Sequence, residues 1–390
     1  MTEHSESNVA TATDLEVNTH WQRVIQRRSF LKGVGAAGAT LTAGGLMATE
    51  GLAKSSRLTR GDVAILRFLA AAELIESDLW AQYAALGGAP DDALGGTVGG
   101  NPAYVAALQN IDGDMPQYIT DNTDDELSHA AFLNAYLKSK GAEPVSLDEF
   151  RTLPTSQATG ALAGKRLTNL QKLNVDTSWY TRYRSRQNPD FGANITGPVT
   201  IANQPAIPVS DSDTPPGQSQ PVPPTTLQQQ RMQAIANTAA FHFAMIEQGG
   251  SSLYTSMSLK VTDLEVLRIV VSIGGVEVDH FSLWHDKVGN TVSKPLAGVT
   301  DPVTGLSFPD LNSPATELTQ TNKILPEPCD FISKNLPACS VIRPSSTANA
   351  GAVAAIKGLT ADQLFLGQSD DFFEFVMKLA VAADSARRQL

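Results

Sequence analysis

Residues 274–285 read GGVEVDHFSLWH and place a glutamate and a histidine three positions apart in an apolar segment. Residues three apart lie on one face of an α-helix, because one turn takes about 3.6 residues. Glu277 and His280 would therefore offer a carboxylate and an imidazole to the same point in space. The paired Gly274 and Gly275 just before them would let a neighbouring helix approach closely. One such Glu-x-x-His pair alone is more often an ordinary surface or capping pair than a pair of ligands.

The same spacing recurs in residues 124–132, which read DDELSHAAF and contain Glu126 and His129. The chain has six histidines, and only four of them follow residue 53. Two of those four would have a glutamate three positions earlier by chance in roughly one chain in a hundred or fewer. Two such pairs in apolar helices therefore point to one shared site.

Two further segments each supply a glutamate in a similar setting. Glu73 lies in AAELIESDLWAQY and Glu247 in HFAMIEQGGSSLY, and an aromatic residue follows each by seven positions, Trp80 and Tyr254. These aromatics either fill the core or relay electrons, and the spacing does not decide between the two. Glu76, one turn after Glu73, is an alternative ligand, but the apolar neighbours and the shared spacing favour Glu73.

Apolar residues recur at helical rather than alternating spacing, and strand signals are sparse, so the predicted class is all-α. The pattern predicts long helices over 58–86, 123–140, 226–258 and 262–289, a short helix over 102–109, and a further helix over 370–388. Thr123 is the expected N-cap of the second long helix, and Gly141 is expected to close it.

The segment between the second and third long helices has a different composition. Nine of the 22 prolines fall between residues 189 and 224, among Gly, Ser, Thr and Gln. This composition predicts that the later part of an insertion over about 141–226 is an extended crossover rather than a packed element. The expected organisation is an N-terminal tail and signal over 1–53, a four-helix bundle over 54–290 that contains the insertion, and a Pro-rich excursion with a C-terminal helix over 291–390.

The N-terminal region carries a targeting motif. Residues 26–33 read QRRSFLKG and precede a short apolar stretch rich in Gly and Ala, with small residues near Ala53. Paired arginines before a weakly apolar segment are typical of a twin-arginine export signal, and that route carries proteins already folded. The apolar stretch is too short and Gly-rich to span a bilayer stably, so no membrane span is expected after cleavage. We expect a periplasmic or extracellular protein.

Charge and cysteine content narrow the remaining classes. The net charge is -11, and no basic patch with interleaved aromatic residues occurs, which argues against nucleic acid as a partner. The chain has only two cysteines, Cys329 and Cys339. Two thiols ten residues apart in an exported protein predict a disulfide that closes a small loop.

The order Glu, Glu-x-x-His, Glu, Glu-x-x-His is the ligand set of di-iron and di-manganese carboxylate bundles. On these residues the chain resembles the ferritin-like superfamily and, more narrowly, the exported bacterial ferritin-like domain proteins related to desiccation-associated proteins. The resemblance covers roughly 58–140 and 226–290. It implies a ferritin-like four-helix bundle with a long crossover between helices two and three, followed by a C-terminal helix.

The resemblance also implies a site for two metal ions, iron in first place and manganese in second. The six expected ligands are Glu73, Glu126, His129, Glu247, Glu277 and His280. Glu126 and Glu277 would bridge the ions, Glu73 and Glu247 would bind one ion each, and the two histidines would complete the shells. Iron and manganese accept oxygen and nitrogen ligands of this kind, whereas soft ligands would select copper.

Three functions follow from that site as expectations. The first is redox chemistry with O2, peroxide or a small molecule, as an oxidase, a peroxidase or catalase-like scavenger, or an iron oxidiser. The alternative is a non-catalytic structural or binding protein of stress or desiccation that keeps the metal for stability. A cage-forming storage protein is a third and weaker option, because two long Pro-rich excursions would obstruct the packing of a shell.

Four more polar residues leave alternatives open. Asp78 and Asp279 could accept hydrogen bonds from the two histidines of the site, and solvated helix positions suit them equally well. His242 and His285 have no carboxylate at ligand spacing. We interpret both as ordinary packing or surface histidines.

Overall fold

The computed structural model describes residues 58–90, 99–184, 199–216, 220–313, 324–326, 332–333, 335–343 and 350–389. The expected export signal and Cys329 lie outside these ranges. The described part is predominantly helical and contains one small sheet of two strands, which confirms the all-α prediction. None of its helices combines the length and the apolar composition that a bilayer span requires.

The described residues form eight α-helices, four of which are long. The helices are α1 (Arg60–Gly87), α2 (Pro102–Gln109), α3 (Met115–Ser139), α4 (Ser178–Arg182), α5 (Leu227–Ser258), α6 (Leu264–Lys287), α7 (Ala352–Ala361) and α8 (Asp370–Asp384). Helix α1 packs along α3, and α5 packs along α6. The bundle therefore consists of two helix pairs, and each pair carries one isolated glutamate and one Glu-x-x-His of the expected site.

Side-chain caps begin three of the four long helices. The Thr59 side chain accepts a hydrogen bond from the backbone at the start of α1, and Asp263 does the same at the start of α6. Helix α5 begins with a capping box, in which Thr226 and Gln229 each satisfy the other's backbone N–H. These caps lie next to the predicted starts of the three helices, since cap chemistry is local and readable in the sequence.

Helix α3 begins at Met115, so the predicted N-cap at Thr123 is wrong. The Thr123 hydroxyl instead donates to the Ile119 carbonyl (2.6 Å), which is the contact of a helix-interior threonine with the preceding turn. Pro116 lies in the first turn, where its missing N–H is tolerated. The extension matters for the site because it adds about two helical turns, and these include Asn122.

The described residues in the later part of the insertion are packed, contrary to the prediction that this part is extended. Its strand β2 (Ile201–Gln204) pairs in antiparallel fashion with β1 (Leu173–Val175), and several of its side chains are buried, Ala206 and Ile207 among them. Isolated prolines end helices without preventing a loop from burying its apolar residues. The composition therefore identified the absence of long helices in this segment but not its contribution to the core.

A buried aspartate ties the crossover to α1. One Asp78 oxygen accepts hydrogen bonds from the backbone N–H groups of Leu167 and Thr168, both at 2.9 Å. The other oxygen pairs with Arg151 (2.6 Å) and lies 3.7 Å from Arg166. Asp78 is therefore neither a solvated helix residue nor a partner of the site histidines, because it holds a distant part of the chain in place.

The C-terminal region also packs on the bundle. Helix α8 ends at Asp384, earlier than predicted, and contacts both α1 and α7. The Asp384 carboxylate accepts the backbone N–H groups of Ala352 and Val353 at the start of α7 and pairs with Lys260 (2.7 Å). Cys339 is exposed and forms no disulfide within the described residues, and its expected disulfide with Cys329, which lies outside them, stays a prediction.

Candidate metal centre

Six polar side chains from the four long helices meet inside the bundle, and each exposes at most 7% of its surface. They form two overlapping groups in which the ligand atoms lie within 4.8 Å of one another: Glu73, Glu126, His129 and Glu277 in one, and Glu126, Glu247, Glu277 and His280 in the other. The structure thus brings together all six residues that the sequence proposed as ligands. Each group is placed to hold a metal ion.

Glu126 lies between the two imidazoles. One of its oxygens, Oε2, is 3.2 Å from His129 Nδ1, and the other, Oε1, is 3.1 Å from His280 Nδ1. Glu277 also belongs to both groups, with Oε1 3.5 Å from His129 Nδ1. These two carboxylates occupy the shared positions that the ferritin-like resemblance assigned to bridging ligands.

The other two glutamates each serve one group. Glu73 Oε2 lies 3.4 Å from His129 Nδ1, and Glu247 Oε2 lies 3.3 Å from His280 Nδ1. Each group therefore combines its own histidine, its own glutamate and the two shared carboxylates. We interpret the arrangement as pseudo-symmetric, since the first helix pair supplies the same residue types as the second.

A pair of serines extends this pseudo-symmetry into the backbone. The Ser77 hydroxyl on α1 donates to the Glu126 carbonyl on α3 (3.2 Å). The Ser251 hydroxyl on α5 donates to the Glu277 carbonyl on α6 (3.0 Å). Both serines follow the isolated glutamate of their helix by four positions. The same contact thus fixes the register within each helix pair at the level of the site.

Burial and mutual repulsion disturb the carboxylates. Burial, together with the charges of Glu247 and Glu73, raises the pKa of Glu126 to about 7. Burial and the charge of Glu126 hold the pKa of Glu277 well above its usual value. The six side chains of the two groups form one buried cage. Its four carboxylates cannot all stay ionised without cations, so protons or metal ions must compensate their charge.

The imidazoles respond in the opposite direction. Burial alone would lower the pKa of His129, but the adjacent carboxylates of Glu126, Glu277 and Glu73 raise it above its usual value. The pKa of His280 is likewise raised against burial, chiefly by the charge of Glu247. Without metal, the two histidines act as the cations of the cage. A metal ion that replaced their protons would find neutral imidazole nitrogens already facing the carboxylates.

Several buried oxygens of the cage lack a hydrogen-bond donor among the described residues. These atoms are Oε1 and Oε2 of Glu277 and Oε2 of Glu73. Buried acceptors are nearly always satisfied in native proteins, so a cluster of bare carboxylate oxygens needs another partner. Divalent iron or manganese, which accepts oxygen and imidazole ligands together, fits this donor set.

Two residues beside the cage escaped the sequence analysis. Asn122 donates from Nδ2 to Glu126 Oε1 (3.0 Å) and Glu247 Oε1 (3.1 Å), and it accepts from the Trp284 indole (2.7 Å). Asp125 accepts a hydrogen bond from His280 Nε2 (3.1 Å), which turns Nδ1 of that ring toward the cage. A carboxylate on the far nitrogen is the usual support of a metal-binding histidine. Asp125 could have been found, since it directly precedes Glu126.

The aromatic and glycine neighbours also contact the site. The Tyr254 hydroxyl donates to Glu73 Oε1 across the bundle. Gly274 packs against Tyr254, where an added Cβ would lie 2.8 Å from that side chain, so the expected close approach of a neighbouring helix is confirmed there. A Cβ added at Gly275 would meet nothing within 4 Å. Gly250 on α5 leaves the space that the Glu277 carboxylate fills.

The remaining candidates lie apart from the cage. Glu76 belongs to neither donor group, and burial with the charges of the cage carboxylates raises its pKa well above the usual value. Asp279 is exposed on α6. His242 and His285 are fully buried, which confirms the packing alternative for both.

Both buried histidines have polar partners. His242 Nδ1 hydrogen-bonds to the Tyr83 hydroxyl (2.7 Å), and burial lowers the pKa of His242 to about 3. Arg184 donates to His285 Nε2 (2.8 Å), which links α6 to the crossover. These contacts give each imidazole a polar partner within the core.

Comparison with known proteins agrees with this geometry. A family model described as "Ferritin-like domain" matches residues 61–290, more than half of the chain. The chain belongs to the ferritin-like domain family. Neither the curated proteins nor the solved structures contain a match to this ferritin-like protein. The matched range includes all six residues of the candidate metal centre and ends before α7 and α8.

Proposed function

We propose that this ferritin-like protein binds two metal ions, iron or manganese, and uses them in redox chemistry with O2 or peroxide. The supporting observation is that Glu126 and Glu277 belong to both donor groups. Shared carboxylates place two ions close together, as a dinuclear centre requires. Electron exchange with O2 or peroxide is the chemistry that iron or manganese supplies when bound.

The residues around the cage have separate roles in this proposal. Asn122 holds Glu126 and Glu247 in one orientation through its amide N–H groups. Asp125 fixes the ring of His280. The Tyr254 hydroxyl stands beside Glu73 as a proton donor. The complete burial of the glutamates excludes bulk water, which strengthens every electrostatic contact inside the cage.

The experiment begins with metal analysis of the purified protein, followed by optical spectra during addition of peroxide or of Fe(II) with O2. We expect two ions per chain and turnover in the parent protein. The variants Glu126→Ala and Glu277→Ala should lose the ions and the turnover. Glu265→Ala on the exposed face of α6 is the matched control and should keep the metal. Two ions without turnover would favour the structural alternative, and absence of metal from the parent protein would refute the site.

We also propose that the protein leaves the cytoplasm folded, through the twin-arginine pathway. The proposal rests on Arg27 and Arg28 in the sequence QRRSFLKG. Replacement of both arginines by lysine should retain the full chain in the cytoplasmic fraction, whereas the parent should appear outside it. Equal export of both forms would refute this route.

A further inference from the structure

A cavity of about 170 Å³ lies between α1, α5 and α7, outside the cage. Most of its wall is apolar, with side chains from all three helices: Phe68, Ile75, Met245, Ile246, Ile356 and Leu359. A cavity of roughly 150 Å³ with such a lining accommodates benzene in other proteins. The space therefore suits a molecule with the size of one aromatic ring.

The inner wall of the cavity borders the candidate metal centre. Glu76 lines the cavity one helical turn after Glu73, which belongs to the cage. Gly250 lines the same wall, and its missing side chain leaves the Glu277 carboxylate directly behind the backbone. The Gly250 backbone thus lies next to both this part of the cavity and a shared carboxylate of the cage.

The ionisable side chains of the cavity are all acidic. Glu76, Asp176 and Asp362 line it, and none of the described residues in its wall is a lysine or arginine. Burial, with the charge of Asp176, raises the pKa of Asp362 to about 7. An anionic ligand would find no cation to pair with and would be repelled by whichever of these carboxylates are ionised. A neutral or cationic group would be tolerated or attracted.

We propose that this cavity binds a small organic molecule with an apolar body of about one ring and a neutral or cationic polar end. Its apolar part lies against the side chains of α1, α5 and α7. Its polar end faces the carboxylates of the wall. The further assignment of this molecule as the substrate of the metal centre rests on the proposed redox function, whereas the binding site itself does not.

The test measures binding of three probes to the purified, metal-loaded protein by titration calorimetry or ligand-observed NMR. Toluene represents the apolar body, benzylamine adds a cation, and benzoate adds an anion to a similar frame. We expect one site per chain for toluene and benzylamine, and binding of benzoate at least tenfold weaker than that of benzylamine. Failure of both toluene and benzylamine to bind, or equal affinity for benzoate, would overturn the proposal.

Two glycines offer a matched pair of variants. Gly249 lines the cavity, Gly275 lies elsewhere on α6, and a Cβ at either position meets nothing within 4 Å. Gly249→Leu should weaken toluene and benzylamine at least tenfold, and Gly275→Leu should leave both unchanged. Ala355 lies on the α7 wall, far along the chain from the candidate metal ligands. Ala355→Phe should likewise weaken the binding of toluene and benzylamine. Unchanged affinity in both cavity variants would refute the site.

Metal content measured on the same samples separates this proposal from the redox function. Probe binding by a protein that holds no metal would refute the dinuclear centre and support the binding site. A parent protein with two ions and no affinity for toluene or benzylamine would refute the cavity proposal alone.

Discussion

Replacement of Glu277 by glutamine should stabilise the metal-free protein and destabilise the metal-loaded one. Burial and the charge of Glu126 keep the pKa of Glu277 well above its usual value. The folded, metal-free protein therefore retains a proton there that the unfolded chain loses above the usual pKa, which lowers stability at neutral pH. Glutamine is neutral in both states, so this penalty disappears.

The structure also indicates the size of the effect. Both Glu277 oxygens are buried without a donor among the described residues, and an unsatisfied buried acceptor costs about 1–3 kcal/mol. Glutamine keeps one acceptor and adds an N–H2 group that can donate to neighbouring carboxylates. We expect a gain of about 1–3 kcal/mol without metal. Metal at a concentration of about one hundred times Kd stabilises the parent by about 2.7 kcal/mol per ion. The variant loses this stabilisation.

The assay is thermal or chemical unfolding of parent and variant, first in a chelator and then in excess Mn(II). We expect the midpoint of Glu277→Gln to lie about 1–4 °C above the parent in chelator, since the unfolding entropy of a chain of this size makes 1 kcal/mol shift Tm by only about 1–1.5 °C. In Mn(II) the order should reverse. Glu265 is exposed on the same helix, and Glu265→Gln should shift the midpoint by the same amount in chelator and in Mn(II). A less stable variant in chelator, or equal stabilisation of both proteins by Mn(II), would refute the reasoning.

Three further predictions concern the surroundings of the cage. Mn(II) affinity should fall by at least about tenfold per pH unit below pH 7 in titrations, because the metal must displace a proton from Glu126, whose pKa burial raises to about 7. Gly250→Ala should lose metal in elemental analysis, because its Cβ collides with the Glu277 carboxylate, and Gly249→Ala should keep it. Asp78→Ala should lower the free energy of unfolding by about 3–5 kcal/mol in chemical denaturation, because its arginine partners and backbone donors stay partly buried.

The site was largely predictable because its defining pattern is local. A Glu-x-x-His spacing on an amphipathic helix places both side chains on one face wherever the helix packs. The isolated glutamates were harder to choose, and the aromatic spacing selected Glu73 over Glu76. The structure places Glu73 in a donor group and Glu76 in the cavity wall. The tyrosine that donates to Glu73 is Tyr254 on another helix, α5. Spacing along one helix does not reveal such a contact between distant segments.

The features that escaped prediction depend on distant contacts. Asn122 was missed because the predicted helix began after it, and its value lies in reaching Glu247 on another helix. The packing of the crossover was missed because proline content reports local backbone preference and not burial. The role of Asp78 likewise becomes visible only when residues 151–168 fold back onto α1.

The wall that α7 contributes to the cavity has an evolutionary consequence. The donors of the cage all lie within the range shared with the family, whereas α7 lies beyond its end. Mutations that accumulate in the tail can reshape the cavity without touching a donor. Changes in the cavity lining are therefore separable from preservation of the candidate metal donors, and a relative with a different C-terminal segment would keep the donors and line the cavity differently.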